Sequence, residues 1–338
     1  MKAIIKYKDE IGFSLQTIPV PKLIPNYVLI KVYAAVVNPS DEFATKNVYK
    51  DMKYDPILGY CVLGIEGSGI IEEVGENVPQ NLKGKKVAFS NLGRDPNFVG
   101  TFCEYARAHV DYLFILEDDA DLEESSGLFV NPLTVLTLLE FLTESNLNSC
   151  VNTPAQSSIG RILYKECTKR NINVINIVRT HEQVEALRKL GAQYVFDSSD
   201  PKSTSEIRNA CQNLNARVGF NAVCGDSLGK MASMLPKSSK IVIYGVAGGP
   251  VKNLNPAIML LREIEIEGII LFSAPCIKNK IKFDEYRKLV LEDMKSSKNM
   301  KVQVIAKFPL DKLNEVFASY KASAHLGKLI LTPAFKSE

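Results

Sequence analysis

Two short stretches carry residue types able to hold a phosphate. In "NTPAQSSIGR", residues 152–161, Pro154, Ser157 and Gly160 recur at every third position between an apolar run and a helical one. Small residues at that spacing let backbone N–H groups at a helix start approach an anion, which the helix dipole also favours. Ser157, Ser158, Ile159 and Gly160 are the candidate contacts. A plain strand-to-helix turn that needs small residues for close packing would read the same way. In the second stretch, "VINIVRT", Arg179 follows an apolar run. If both stretches leave neighbouring strands of one parallel sheet, Arg179 lies where the adenosine ribose of a dinucleotide would be. Its guanidinium suits a 2′-phosphate, whereas an acidic residue would suit a free 2′-hydroxyl. NADPH is therefore the expected cofactor. The competing reading is an Arg179–Glu182 surface pair, of a kind that stabilises little.

Other reactive residue types point away from disulfides and metal clusters. The seven cysteines are odd in number and never form a C-x-x-C pair, unlike a disulfide framework or a zinc ribbon. His109, His181 and His325 stand isolated, and a lone histidine is more often structural or solvated than catalytic. The formal charge of +3 comes from 41 basic and 38 acidic side chains spread along 338 residues. No basic block suits nucleic acid or an anionic membrane, and no apolar stretch is long enough to insert into a bilayer. Met1 runs at once into "MKAIIKY". A soluble intracellular protein, of the cytoplasm or the mitochondrial matrix, is expected.

Positioning these residues takes two kinds of element. Residues 1–124 read as short alternating segments punctuated by Pro and Gly, such as "YVLIKVYAAVV", "GSGIIEEVG" and "GKKVAFS". That pattern predicts a twisted, partly barrel-like β domain. Over residues 125–270 short apolar runs alternate with helical ones, from the helical "LFVNPLTVLTLLEFL" through "CVNTP", "GRILYKECTKRN", "VINIVR", "EQVEALRKLG" with its Gly191 stop, "YVFDSS" and "VGFNAV" to "KIVIYGV". Strand–helix alternation predicts right-handed crossovers and a doubly wound parallel sheet. Residues 271–338 add a helical stretch and alternating strands, and are expected to return to the first domain.

Taken in order, "VNPSD", "GIEGSGIIEEVG", "GTFCEYA", "VNPLTV", "SSIG", "LRKLGAQYVFDSS", "IVIYGV" and "GKLILT" give a chain that resembles the medium-chain dehydrogenase/reductase superfamily over nearly its whole length. Within it, the chain is similar to the zinc-independent branch of quinone oxidoreductases and 2-enoyl thioester reductases. The resemblance implies an α/β fold with a GroES-like, partly open β-barrel catalytic domain and a doubly wound Rossmann nucleotide-binding domain. Alcohol dehydrogenase relatives carry a cysteine where this chain has Asn38 and a histidine where it has Ile65. An amide is a poor zinc ligand, isoleucine has no donor, and the four-cysteine lobe is missing. No metal is expected. Alcohol oxidation then lacks a Lewis acid for its alkoxide, while reduction of an activated C=C or a quinone needs only a hydride and a proton donor.

The implied catalytic residues are Asn38 and Tyr49. Tyr49 matches the tyrosine that enoyl thioester reductases place near the substrate carbonyl, where a phenol can hydrogen-bond the enolate oxygen. The implied cofactor contacts are Asn131 and Thr134 near the nicotinamide amide, Tyr244 and Gly245 after the fifth strand, and Phe272 in a loop beside the cofactor. Each has a plainer use as well: Asn131 and Thr134 as helix caps, Phe272 as core, and Asp41 as the organiser of its own turn. The segment "KDMKYDPILGYCVL" is a few residues longer than its family counterpart, which implies a different pocket wall.

Three functions stay open. Reduction of a 2-enoyl thioester is favoured by Ser157 in place of the turn's middle glycine and by "IVR" after the second strand. Reduction of a quinone, another small-molecule substrate, uses the same chemistry. The third is a weakly active or inactive accessory subunit of a larger assembly, motivated by Pro154 and Ser158 where the family carries smaller residues. Pairing with itself or a related chain is expected along "IEIEGIILF", which reads as an edge strand.

Overall fold

The structure, a computed structural model, describes residues 1–48, 52, 54–56, 58–90, 95 and 97–333. It divides into two compact units, Met1–Leu133 with Pro275–Glu338, and Thr134–Ala274. Among the described residues no helix is long and apolar enough to cross a membrane.

The first unit is built on an open path of strands. In order these are Val304–Phe308, Lys328–Leu331, Tyr27–Val36, Glu66–Val74, Lys86–Ser90 and Leu113–Ile115, with Tyr105–His109 also paired to Tyr27–Val36. A separate three-stranded sheet runs Ser14–Thr17, Lys2–Tyr7, Tyr60–Val62. Ile30, Val32, Val87 and Phe89 from the long sheet meet Ile5 of the smaller one in a buried cluster. Each such side chain contributes about 1.5–3 kcal/mol by leaving water. The glycines of "GIEGSG" have a local reason. A Cβ on Gly69 would lie 2.2 Å from the Lys31 carbonyl oxygen, and one on Gly67 2.8 Å from that of Ala34. Strand Glu66–Val74 can therefore press against Tyr27–Val36 only with hydrogen at those positions. From the tail of the chain, Lys328–Leu331 pairs antiparallel with Tyr27–Val36, setting Ile330 opposite Val36.

The second unit holds a six-stranded sheet. From edge to edge it runs Tyr194–Asp197, Asn173–Val178, Ser149–Thr153, Val218–Asn221, Lys240–Ile243, Glu265–Gly268. Every pair is parallel. Strand order reverses on either side of Ser149–Thr153, which makes the sheet doubly wound and puts the ligand-binding crevice at the carboxyl ends of the central strands. Helices Ser158–Lys169, His181–Lys189, Ser203–Asn213 and Asp226–Met234 follow the first four of these strands in the chain. The stretch "IEIEGIILF" does supply an edge strand, but only over Glu265–Gly268. Leu271–Ser273 has already coiled into a 3-10 turn.

Candidate functional site

The turn after Ser149–Thr153 is built around Gly160. A Cβ there would stand 2.5 Å from the Pro154 carbonyl oxygen and 2.6 Å from that of Ala155. Gly160 is what lets the helix start sit against the turn. Ser157 caps that helix: its Oγ accepts from the Gly160 N–H at 3.0 Å and donates to the Pro154 carbonyl at 2.8 Å. Its hydroxyl proton is thus already engaged within the protein. The amides of Ser158 and Ile159, in the first helical turn, have no intrahelical acceptor. Asn152, at the end of the strand, ties the turn down by donating to the Gly160 carbonyl at 3.0 Å.

Arg179 directly follows the strand Asn173–Val178, which neighbours Ser149–Thr153. Its backbone N–H donates to Gln183 Oε1 at 3.0 Å. The side chain is exposed and forms no ion pair with Glu182 or any other described residue. Thr180 then caps the next helix by accepting from the Gln183 N–H. An unpaired guanidinium therefore stands at the strand exit adjacent to the Gly160 turn.

The other sequence-predicted residues of this unit scatter over the same end of the sheet or beyond it. Tyr244 and Gly245 follow Lys240–Ile243, and a Cβ on Gly245 would meet the Cβ of Ala222 at 3.0 Å. The Tyr244 hydroxyl is buried without a hydrogen-bond partner among the described residues; burial, with the Cys150 thiol nearby, pushes its pKa up. At the sheet end Tyr244 thus offers its ring and backbone rather than its hydroxyl. Phe272, half-buried, lies in the 3-10 turn past the edge strand. Thr134 is buried one helical turn after Asn131 in Val130–Glu144.

Asn38 belongs to the first unit, where it precedes the short helix Pro39–Thr45 in extended conformation, with Pro39 at the first helical position. Pro39 suits that place because its missing N–H would have had no partner there. Asp41 Oδ2 accepts from the Asn38 backbone N–H at 2.7 Å and so closes the turn. The Asn38 side chain is 2% exposed and hydrogen-bonded at both ends of its amide. Its Nδ2 donates to Glu66 Oε1 at 2.8 Å, and its Oδ1 accepts from Lys328 Nζ. Glu66 Oε2 in turn accepts the backbone N–H of Val130 at 2.9 Å and of Phe129 at 3.2 Å, at the start of helix Val130–Glu144. Next along that helix, the Asn131 amide nitrogen is buried with no acceptor among the described residues. Tyr49 lies outside the described residues.

This cluster, of which the sequence marks only Asn38 and Asp41, encloses two carboxyls and one ammonium. Burial pushes the Asp41 carboxyl up to about 7; the backbone hydrogen bond from Asn38 and the Lys328 charge oppose the rise, and Glu66 adds to it. Burial likewise raises Glu66, opposed by Lys328 and by the donors from Val130, Asn38 and Phe129. Lys328 is pulled down to about 8 by burial, against the two carboxylates. These shifts set a pH dependence. Asp41 keeps its proton in the native state where the unfolded chain has lost it, so its stabilisation is complete below about pH 4 and is lost as pH rises to about 7. Lys328 acts oppositely, its contribution growing as pH rises from about 8 towards 10.5. Urea unfolding midpoints should therefore dip between pH 7 and 8. Asp41→Asn, which keeps the acceptor for the Asn38 amide, should flatten the limb below pH 7. An unchanged slope in that variant would mean that Asp41 is not the buried acid.

Two family models match the chain, an alcohol dehydrogenase GroES-like domain over residues 24–118 and a zinc-binding dehydrogenase over residues 158–292. Together they cover more than half of it. The chain belongs to the medium-chain dehydrogenase/reductase superfamily. Among relatives of this medium-chain dehydrogenase/reductase is a mitochondrial enoyl-[acyl-carrier-protein] reductase of Arabidopsis thaliana, 28% identical over 265 residues that span 77% of this chain and 68% of the relative. The quinone oxidoreductase of Homo sapiens is 23% identical over 330 residues, 97% of this chain and 93% of the relative. The fold is that of the Escherichia coli quinone oxidoreductase solved with NADPH, with a TM-score of 0.83 at 19% identity, covering 98% of this chain and all of that one. The zinc in the second model's description does not suit the residues present. Ile65 has no donor atom, and the Asn38 amide oxygen already accepts from an ammonium, so a cation beside it would face a positive charge.

Proposed function

We propose that the chain is an NADPH-dependent, metal-independent reductase of an activated C=C, acting on a 2-enoyl thioester. The observation that carries the cofactor assignment is the exposed, unpaired guanidinium of Arg179 beside the Gly160 turn. In this reading Arg179 binds the 2′-phosphate, the amides of Ser158 and Ile159 meet the pyrophosphate, and the buried free amide of Asn131 meets the nicotinamide carboxamide. Bound NADPH supplies a hydride to the substrate β-carbon. Tyr49 then holds the enolate oxygen by a phenolic hydrogen bond while a proton reaches the α-carbon. No step needs a Lewis acid, which agrees with Asn38 being engaged by Glu66 and Lys328. The thioester is favoured over a quinone on the 28% identity to the enoyl reductase relative over 265 residues, against 23% over 330 for the human quinone oxidoreductase. The same relative favours the mitochondrial matrix. A dimer along Glu265–Gly268 would cover an exposed edge beside the exposed Leu260 and Leu261.

NADPH-dependent turnover over a panel of enoyl-CoA, enoyl-acyl-carrier-protein and quinone substrates tests the reading. Thioester reduction supports it, quinone reduction alone shifts the substrate class, and NADPH binding without turnover points to an accessory subunit. Within the same assay, Arg179→Ala should weaken NADPH by about 1.5–3 kcal/mol, the range for a charged hydrogen bond, and leave NADH nearly unchanged. Equal losses for both would remove Arg179 from 2′-phosphate recognition.

A further inference from the structure

We infer that Glu66, Asn38 and Lys328 are positioning residues for the proposed reduction, holding the start of the helix that carries Asn131 in register with the turn that begins at Asn38. The inference rests on that functional reading but on different atoms. An ammonium can only donate and a carboxylate can only accept, so the amide joining them must turn its NH2 to Glu66 and its oxygen to Lys328. Asparagine is the residue of that length with one donor end and one acceptor end. The chain of bonds continues without a gap, from Lys328 Nζ through Asn38 to Glu66 at 2.8 Å, and from Glu66 Oε2 to the amides of Val130 at 2.9 Å and Phe129 at 3.2 Å. One residue further on, Asn131 keeps a buried amide nitrogen with no partner among the described residues. A buried unpaired donor is costly, and its retention directly beside a gripped helix start is what a site waiting for an acceptor on a ligand requires. Apolar residues of similar volume would hold these strands together at least as well as a buried ionic relay. The relay provides one fixed arrangement of donors and acceptors instead.

That directionality makes the relay testable by exchange. In Glu66→Gln the new NH2 faces either the Asn38 NH2 or the amides of Phe129 and Val130, a donor against a donor in both orientations. In Asn38→Asp two carboxylates face each other. The double variant Asn38→Asp/Glu66→Gln restores every bond. The NH2 introduced at position 66 donates to the carboxylate introduced at position 38, which accepts from Lys328, and the new amide oxygen at position 66 accepts the helix amides. Each variant is assayed with the full chain, at a temperature well below its own unfolding transition and with its native circular dichroism verified. The expected result is that each single change lowers kcat/KM at least tenfold, mainly in kcat at saturating NADPH, and that the double variant returns to within about threefold of wild type. Folded single variants with wild-type turnover, or a double variant no better than the worse single, overturn the inference. Wild-type protein that binds NADPH but reduces nothing overturns the thioester reading alone. The same cycle is then read in NADPH affinity, where recovery in the double variant still supports the relay and lack of recovery removes it.

Discussion

Lys328→Met lowers the free energy of unfolding by about 3–5 kcal/mol, the cost of taking one partner from a buried ionic arrangement. Lys328 is 4% exposed and is the cation that opposes the raised pKa of both Asp41 and Glu66. Methionine keeps the length of the side chain and little of the volume is lost, so the loss is electrostatic rather than a cavity effect. Without the ammonium, Glu66 must take up a proton to stay buried, Asp41 holds its own to higher pH, and the Asn38 side-chain oxygen loses its donor. The penalty should therefore grow through about pH 7, as wild-type Asp41 ionises, and again from about pH 8 towards 10.5, where wild-type Lys328 sheds its proton and gains stability that methionine lacks. Urea unfolding across that range measures it. Since such a loss is a large share of the stability of a typical domain, Lys328→Arg serves as the companion, keeping the charge and most of the stability. A Met variant within about 1 kcal/mol of wild type at pH 8 would mean that the cluster is not dry enough for its charges to matter.

Gly160→Ala should abolish most NADPH binding, with an affinity loss of roughly a hundredfold, equivalent to about 2.7 kcal/mol. Alanine in a helix is ordinarily better than glycine by about 1 kcal/mol, so the direction of the stability change is diagnostic. Here the added methyl meets the backbone oxygens of Pro154 and Ala155 at 2.5 and 2.6 Å, and backbone cannot rotate aside as a side chain can. Helix Ser158–Lys169 must move off the turn, which costs about 1–3 kcal/mol and displaces the amides of Ser158 and Ile159. Cofactor titration and urea unfolding on the same preparation check both halves. An alanine variant that is more stable and binds normally would show that the turn has room to spare.

What the sequence makes legible follows from how local each signal is. The strand Tyr27–Val36 and the helix His181–Lys189 are readable from apolar periodicity, and Gly191 takes the positive φ of +91° expected where a helix stops. Helix Asp226–Met234 is not legible in the same way, because Gly229 interrupts it. That glycine is there for a reason outside the helix: a Cβ on it would lie 2.0 Å from the Asn253 carbonyl oxygen. Arg179 is visible as a candidate because a strand exit is a local feature. Asn38 is visible only as an oddity of residue type, since its partners Glu66 and Lys328 are 28 and 290 positions away. Nothing in "GIEG" or "GKLIL" alone tells that a carboxylate and an ammonium will share one amide. Residue types mark the Ser157–Gly160 turn, but not that the Ser157 hydroxyl is committed to Pro154 and Gly160.

The 290-residue separation between Asn38 and Lys328 also bears on how the molecule is made. Pairings so far apart are closed late and at high entropic cost, and synthesis delivers the early strands first. A nascent chain carrying Asn38, Asp41 and Glu66 has two acidic groups bound for the interior and no counter-charge until strand Lys328–Leu331 emerges from the ribosome. Until that strand is added, no cation in the cluster offsets the burial of both carboxyls, so the β unit cannot close over them at low cost.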